Sequence, residues 1–251
     1  MIAIKNEHEL ESMRQACRIT AAARALAGEM VRPGVSTRSI DKAVHDFIVA
    51  QGAKPSFLNY NGFPASTCIS VNATVIHGIP GGYILKDGDI VSIDVGAYYK
   101  GFHGDCAATF ACGTISAEAE KLINVTKQSF YEGLRFATPG HRVSDISHAI
   151  ETYVELNGFS VVRSFVGHGV GRQLHEEPEV PNYGRPGHGP RLIKGMTLAI
   201  EPMVNAGVYD VRVLKDGWTV LTADGKLSAH YENTVLITDG EPEILTVTEG
   251  L

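Results

Sequence analysis

The sequence predicts a mixed α/β chain assembled from two similar halves, and three observations carry that prediction. Apolar residues recur at helical spacing in segments joined through Pro-Gly turns. Each pair of helical segments is followed by β-prone runs. The second set repeats the first at an almost constant offset. The length of 251 residues sits at the upper end for one domain, or allows two small ones. With 44% hydrophobic and 20% charged residues the balance is that of an ordinary globular protein.

In the first half, Asn6 and Glu9 have the spacing of a capping box, which opens a helix running toward Val31. A second helix is predicted within Arg32 to Gly52. Ile40, Val44, Phe47 and Ile48 fall on one apolar stripe there, and Gly52 is a suitable stop. The stretch FLNYNGFPASTC, beginning at Phe57, reads as a turn with aromatic residues, and VIHGIP sets His77 after an apolar strand. In DIVSIDVGAYY, alternation puts Val91, Ile93 and Val95 on one face and Ile90, Ser92, Asp94 and Gly96 on the other. GDCAATF then opens a further strand at Asp105.

The second half follows the same plan. In TPGHRVSDISHAIETYVELNG, Pro139, Gly140, Ile146, Ile150, Tyr153, Val154 and Gly158 match Pro33, Gly34, Ile40, Val44, Phe47, Ile48 and Gly52 at an offset of 106. GMTLAIE, ending at Glu201, aligns without gaps on GDIVSID, ending at Asp94, and YENTVLI at Glu232 resembles GDCAATF at Asp105. FVGHGVG sets His168 where VIHGIP sets His77. The repeat covers about residues 6–112 and 116–240. Turn dipeptides alone could match by chance; acids that coincide as well make duplication the better account.

Other features exclude whole classes of function. A net charge of -6 gives no electrostatic reason for a nucleic acid or an anionic membrane as partner. Cys17, Cys68, Cys106 and Cys112 form no CxxC or zinc-finger spacing and suit a reducing compartment such as the cytoplasm. The first residues are acidic where a signal peptide would be basic, and Arg24 and Glu29 interrupt the Ala-rich run that follows, so neither export nor a membrane span is expected.

The acids are the feature that asks for chemistry. An ionised carboxylate embedded among apolar strand residues, as Asp94 and Glu201 are, costs several kcal/mol unless it is neutralised. Few bases lie nearby to pair with Asp94, Asp105, Glu201 and Glu232 one to one. Four carboxylates and the imidazole of His168 make a mostly hard-oxygen set suited to Mn, Fe(II) or Co, with Zn also possible. Two such ions about 3.5 to 4 Å apart are usual in aminopeptidases and other hydrolases. A lone Asp in a strand, or a lone His, is more often structural; five of them in matching places point to a site. His168 and His175, the two histidines of GHGVGRQLHEEP, lie outside the i, i+4 spacing of ligands on one helix face.

Taken in order, Asp94 and Asp105, His168 in GHGVG, His175 in HEEP, Glu201 in IEP and Glu232 in YENT closely resemble the motifs of the type I methionine aminopeptidases, over about Ile4 to Thr246. The resemblance implies one catalytic domain over residues 1–251. Its fold would be the "pita-bread" α/β fold, two pseudo-symmetric halves around an antiparallel curved sheet with helices on the outer face. It implies removal of N-terminal methionine from newly made polypeptides whose second residue is small. By the same resemblance Asp94 chelates one ion, Asp105 and Glu232 bridge two, and His168 and Glu201 complete the second. Glu201 is then also the general base, and the free amine of the substrate binds at the ion held by Asp94. His77 and His175 contact the substrate, with His175 stabilising the oxyanion. Phe57, Tyr60, Phe63 and Cys68 form the methionine pocket, and Leu174 and Trp218 close it. A monomer in the cytoplasm, with a transient contact to the ribosome, completes what is implied.

The sequence departs from that pattern in three places. Leu174 stands where an aromatic residue usually precedes the HEEP histidine, Phe63 where tyrosine is frequent, and His230 where glutamine is usual. His230, two residues before Glu232, is placed to alter pH dependence or metal preference. Among rivals, Xaa-Pro peptidases carry a large domain ahead of the corresponding histidine, for which there is no room before His77. Type II enzymes carry an insertion where only 25 residues separate His175 from Glu201. A binding protein derived from the same fold should have lost ligands, and none of the five is missing.

Overall fold

The computed structural model describes residues 2–247. The capping box forms in full: the Asn6 side chain accepts from the Glu9 N–H and the Glu9 carboxylate from the Asn6 N–H, opening α1 (Glu7–Glu29), which stops short of Val31. Pro33 and Gly34 form the turn that delays α2 (Thr37–Ala50) to the Ser36 N-cap. Strands β1 (Lys54–Pro55), β2 (Thr67–Val71), β3 (Thr74–Ile76), β4 (Ile90–Tyr99) and β5 (Phe102–Ala111) follow. The chain then repeats two helices, α3 (Ala117–Leu134) and α4 (Val143–Leu156), ahead of β6 (Ser160–Val161), β7 (Gly167–Gly169), β8 (Glu176–Val180), β9 (Thr197–Ile200) and β10 (Met203–Asn205). It closes with β11 (Val211–Val213), β12 (Val220–Thr222), β13 (Ser228–His230), β14 (Asn233–Leu236) and β15 (Glu243–Ile244). No helix among the described residues is long and apolar enough to cross a membrane.

The helical stripes do what their spacing predicts. Ile40, Val44 and Ile48 on α2 are fully buried, and so are Ile146, Ile150 and Val154 at the same stations of α4. Each such side chain contributes roughly 1.5–3 kcal/mol relative to exposure. Gly52 and Gly158 stop the two helices with φ of 72° and 85°, a region that side chains with a Cβ avoid. One core packs α1 and α2 on β4 through Val91, Ile93 and Val95; another packs α3 and α4 on β9 through Leu198 and Ile200.

Among the described residues every ladder is antiparallel, and the ladders fall into four hydrogen-bonded sets. In one, β4 pairs with β5 along its length and with β2 and β1 on the other side; in another, β15, β14, β9, β7 and β8 lie in that order. The halves meet where β5 runs beside the segment joining β13 to β14. Ala107 and Glu232 exchange backbone hydrogen bonds of 3.2 and 2.9 Å. On either side of them, the Thr234 hydroxyl ties to the Asp105 backbone and the Thr109 hydroxyl to the His230 backbone. One register thus sets both acids at the junction.

One expected equivalence does not hold. His168 lies within β7, opposite Ala199 of β9, whereas His77 follows β3, which pairs with β12. In the first half β2 pairs with β4, and the residue opposite Ser92, the counterpart of Ala199, is Ser70. An apolar run followed by a histidine looks alike in the two halves; which strand it pairs with is decided by contacts far away in the chain.

Candidate functional site

Asp94 sits in mid-β4, between Cys68 of β2 and Ala107 of β5. Asp105 enters from β5 opposite Gly96, where a Cβ would lie 2.7 Å from the Phe57 ring and 2.8 Å from the Ser56 Cβ, so only glycine leaves room for the wall behind the acids. Glu201 follows the last residue of β9, and its carbonyl accepts from the Asn182 side-chain amide at 3.0 Å. Glu232 precedes β14. The Arg24 guanidinium holds its carbonyl at 3.0 Å together with the Asn233 side-chain oxygen at 3.1 Å and the Thr246 carbonyl at 3.2 Å. That cation grips the backbone behind the cluster.

The carboxylates themselves are left in want of charge. Asp94 Oδ1, Asp105 Oδ1 and Glu232 Oε1 are buried with no hydrogen-bond partner among the described residues, as is His230 Nε2. Burial pushes Asp94 up to about 7 and Glu201 up to about 8. Burial and then the neighbouring acids hold Asp105 and Glu232 well above the usual carboxylate range. Orphaned oxygens are rare in folded proteins, and a group of them with raised pKa values marks a place suited to a cation. Donor atoms of Asp105, His168 and Glu232 all lie within 4.8 Å of one another, and so do those of Glu201, His230 and Glu232. The residues fit divalent ions.

The histidines are held ready for such a role. His168 Nδ1 donates to the Gly169 carbonyl at 2.8 Å, which fixes the tautomer and leaves the Nε2 lone pair facing Asp105 Oδ2 at 3.8 Å and Glu201 Oε1 at 3.6 Å. Burial, helped by His175, takes its pKa down to about 3, so the ring is neutral. His175 packs against it, ring centroids 4.2 Å apart, and stands at the cavity mouth with Nδ1 2.8 Å from the Tyr60 hydroxyl. His77, lowered to about 4 chiefly by burial, takes a left-handed φ of 57° that turns it inward against Phe165 and Trp218.

Beside the acids lies an apolar compartment. Phe57, Phe63, Ala65, Cys68 and Leu174 form a buried cluster against which Tyr60, Ile79 and Trp218 pack. Phe63 meets Trp218 edge to face at 5.2 Å. The turn that carries Tyr60 (Tyr60–Gly62) is tight, with left-handed Asn59 and Asn61.

A single cavity of about 420 Å³ reaches the thirteen residues that the resemblance assigns to the site (Asp94, Asp105, His168, Glu201 and Glu232; His77 and His175; Phe57, Tyr60, Phe63, Cys68, Leu174 and Trp218) but is not lined by His230. It also reaches Asn61, Ile76, Phe165 and Val166, which sequence reasoning missed. Phe165 could have been suspected from its place ahead of GHG. Arg24 had a signal too, a lone cation in the small-residue run TAAARALAG, and Asn182 had none.

Comparison with known proteins points the same way. A profile of metallopeptidase family M24 matches residues 11–239. A methionine aminopeptidase of Clostridium perfringens is 60% identical over 247 residues, 98% of this chain and 99% of that protein. The crystal structure of a methionine aminopeptidase from Thermotoga maritima matches with a TM-score of 0.97 at 45% identity, over 99% of this chain and 100% of that one. A prolidase from Pyrococcus furiosus matches with a TM-score of 0.81 at 25% identity, over 98% of this chain and 66% of that one.

Proposed function

The chain belongs to metallopeptidase family M24, and we propose that it removes the N-terminal methionine from newly made polypeptides when the second residue is small. The observation that carries this reading is one cavity with two chemistries, a ring-lined apolar end and a cluster of four carboxylates, three of which have a buried oxygen with no partner among the described residues. Aromatic edges and a thiol suit a thioether side chain. The acids suit the hydrolysis of an amide beside it.

Two divalent ions (Co, Mn, Fe(II) or Zn) would be held by Asp94, Asp105, His168, Glu201 and Glu232. When bound, such ions polarise a carbonyl and bring the pKa of a water toward neutrality. Glu201 takes the proton of the attacking water as general base. Tyr60 Oη lies 2.8 Å from His175 Nδ1; with the hydroxyl as donor, Nε2–H is left to donate to the scissile carbonyl oxygen as that oxygen gains charge. His77, neutral and enclosed, offers its hydrogen bond to the substrate backbone. Phe57, Phe63, Cys68, Leu174 and Trp218 grip the methionine side chain.

Residues 1–251 act in this reading as one catalytic domain, duplicated internally. The free, buried thiols of Cys17, Cys68, Cys106 and Cys112 support a reducing, cytoplasmic setting. There the enzyme works as a monomer and meets its substrates in passing at the ribosome. The test is release of methionine from Met-Ala-Ser by chelator-treated protein after addition of Mn(II) or Co(II), with N-acetylated Met-Ala-Ser left intact. Cleavage of Ala-Pro in place of Met-Ala-Ser would shift the reading to prolidase chemistry, and no cleavage of either under any divalent ion would leave a binding protein.

A further inference from the structure

His230 lies outside the five-residue ligand set, yet its side chain is only 2% exposed and faces the acids. Residues two apart in an extended chain share a face. His230 therefore follows Glu232 into the cluster, while Tyr231 between them packs outward on Phe130 and Tyr131. Its Nε2 stands 3.5 Å from Glu201 Oε2 and 3.9 Å from Glu232 Oε2, with no hydrogen-bond partner among the described residues.

Those separations are too long for good hydrogen bonds but are ordinary for donors that share an ion. Two atoms each about 2.1 Å from a metal lie about 3.0 Å apart at right angles and about 4.2 Å apart across it. Glu201 faces an imidazole with each of its oxygens, Oε1 toward His168 Nε2 at 3.6 Å and Oε2 toward His230 Nε2 at 3.5 Å. The two candidate triads, Asp105-His168-Glu232 and Glu201-His230-Glu232, have only Glu232 in common.

We propose that His230 Nε2 is a further metal ligand, completing with Glu201 and Glu232 the coordination of the ion those acids hold. This deepens the proposed metal-dependent activity and rests on it. A second imidazole makes the site richer in nitrogen. Imidazole suits Co, Zn and Fe better than Mn, for which carboxylates are the preferred donors, so His230 tilts selectivity away from Mn(II).

The test uses chelator-stripped full-length protein, wild type, His230→Gln and His230→Ala, titrated with Co(II) and with Mn(II) by calorimetry. Proton NMR of the Co(II) forms, labelled with ¹⁵N-histidine, supplies a count of ligands. Each ligated imidazole keeps one N–H and gives one strongly shifted exchangeable resonance. Two such resonances are expected in the wild type and one in each variant. Co(II) affinity should fall at least about tenfold in His230→Gln, and Mn(II) affinity by a smaller factor. His230→Ala, with no donor atom, covers a glutamine amide that ligates in place of the ring. One shifted resonance in the wild type, or unchanged Co(II) affinity in His230→Ala, overturns the assignment and leaves the metal-dependent reading standing; the wild-type count needs no variant to fold. Absence of Co(II) binding by the wild type overturns both.

Discussion

Stripped of metal, the protein should lose stability as pH rises, and a divalent ion should abolish that loss. Burial lifts Asp94 from its ordinary 3.8 to about 7 and Glu201 from 4.5 to about 8. Each binds its proton more tightly folded than unfolded. Stability is therefore greatest at low pH and is lost as pH climbs from the unfolded value through the folded one. The enclosed histidines act in the opposite sense. His77, His103, His168, His175 and His230 are all lowered from 6.5, chiefly by burial, so their contribution rises with pH and is complete only about one unit above 6.5. Buried thiols such as Cys106, raised from 9.0, begin to matter only above about pH 8.5. Between pH 6.5 and 8.5 each of these histidines still adds about 0.4 kcal/mol, about 2 kcal/mol for the five, which the acids must outweigh.

Across that interval, at about 1.36 kcal/mol per unit, linkage costs about 1 kcal/mol at Asp94 and about 2 kcal/mol at Glu201. Asp105 and Glu232, held high by burial and by their neighbours' charge, add in the same direction. In a domain of this size 1 kcal/mol moves Tm by about 2–4 °C. Set against the histidines' gain, the net loss is at least about 1 kcal/mol, and the metal-free Tm should drop by at least about 2–4 °C between pH 6.5 and 8.5. Scanning calorimetry on chelator-dialysed and Mn(II)-loaded protein at each pH gives the two curves, and their difference cancels every titration they share. The gap should widen with pH, because the ion takes the place of protons that the acids would otherwise keep. A metal-free Tm that holds level or rises over this interval, with a constant gap, would show that something other than an ion neutralises the acids.

Further substitutions probe the rest of the machinery. Tyr60→Phe removes the donor 2.8 Å from His175 Nδ1 and frees the ring to rotate; kcat on Met-Ala-Ser should fall about tenfold with KM within about threefold, the effect of one lost orienting hydrogen bond in steady-state kinetics. Trp218→Ala opens the pocket beside Phe63 and His77 and should act on KM, raising it about tenfold for the loss of one aromatic contact surface; an unchanged KM would remove Trp218 from the pocket. Arg24→Met strips the donors from the Glu232 and Thr246 carbonyls. A cost of about 3 kcal/mol in urea unfolding is expected, with weaker Mn(II) binding by calorimetry, although Arg24 touches no metal donor.

What could be read in advance follows from how far each determinant acts along the chain. A capping box at Asn6 and the stripe Ile40-Val44-Ile48 are local, and they appear where their spacing places them. The acids were legible for a different reason: a charged residue inside an apolar strand contradicts its surroundings, and the contradiction needs a cation to resolve it. Strand pairing was not legible. Nothing near His77 says that β3 will pair with β12, or that Ser70 and not a histidine will stand opposite Ser92, where the second half has His168 opposite Ala199. Arg24 and Asn182 escaped because they act on backbone carbonyls, which every residue has, so no motif marks their targets.

The register at the junction of the halves explains why these acids and this fold come as one solution. Ala107 opposite Glu232, with Asp105 beside Thr234 and Thr109 beside His230, is an antiparallel match in which both acids enter the same cavity. A slip of one residue would turn Glu232 away from the cavity and bring in Tyr231, which now closes an aromatic cluster with Phe130 and Tyr131. The same slip would thus bury a carboxylate among aromatic rings and open a hole in the core around α3. The penalties add, so the register that builds the site is also the one the core enforces. The repulsion among Asp94, Asp105, Glu201 and Glu232 is then borne by hydrophobic burial in both halves, and an ion that relieves it stabilises the junction as well as the site.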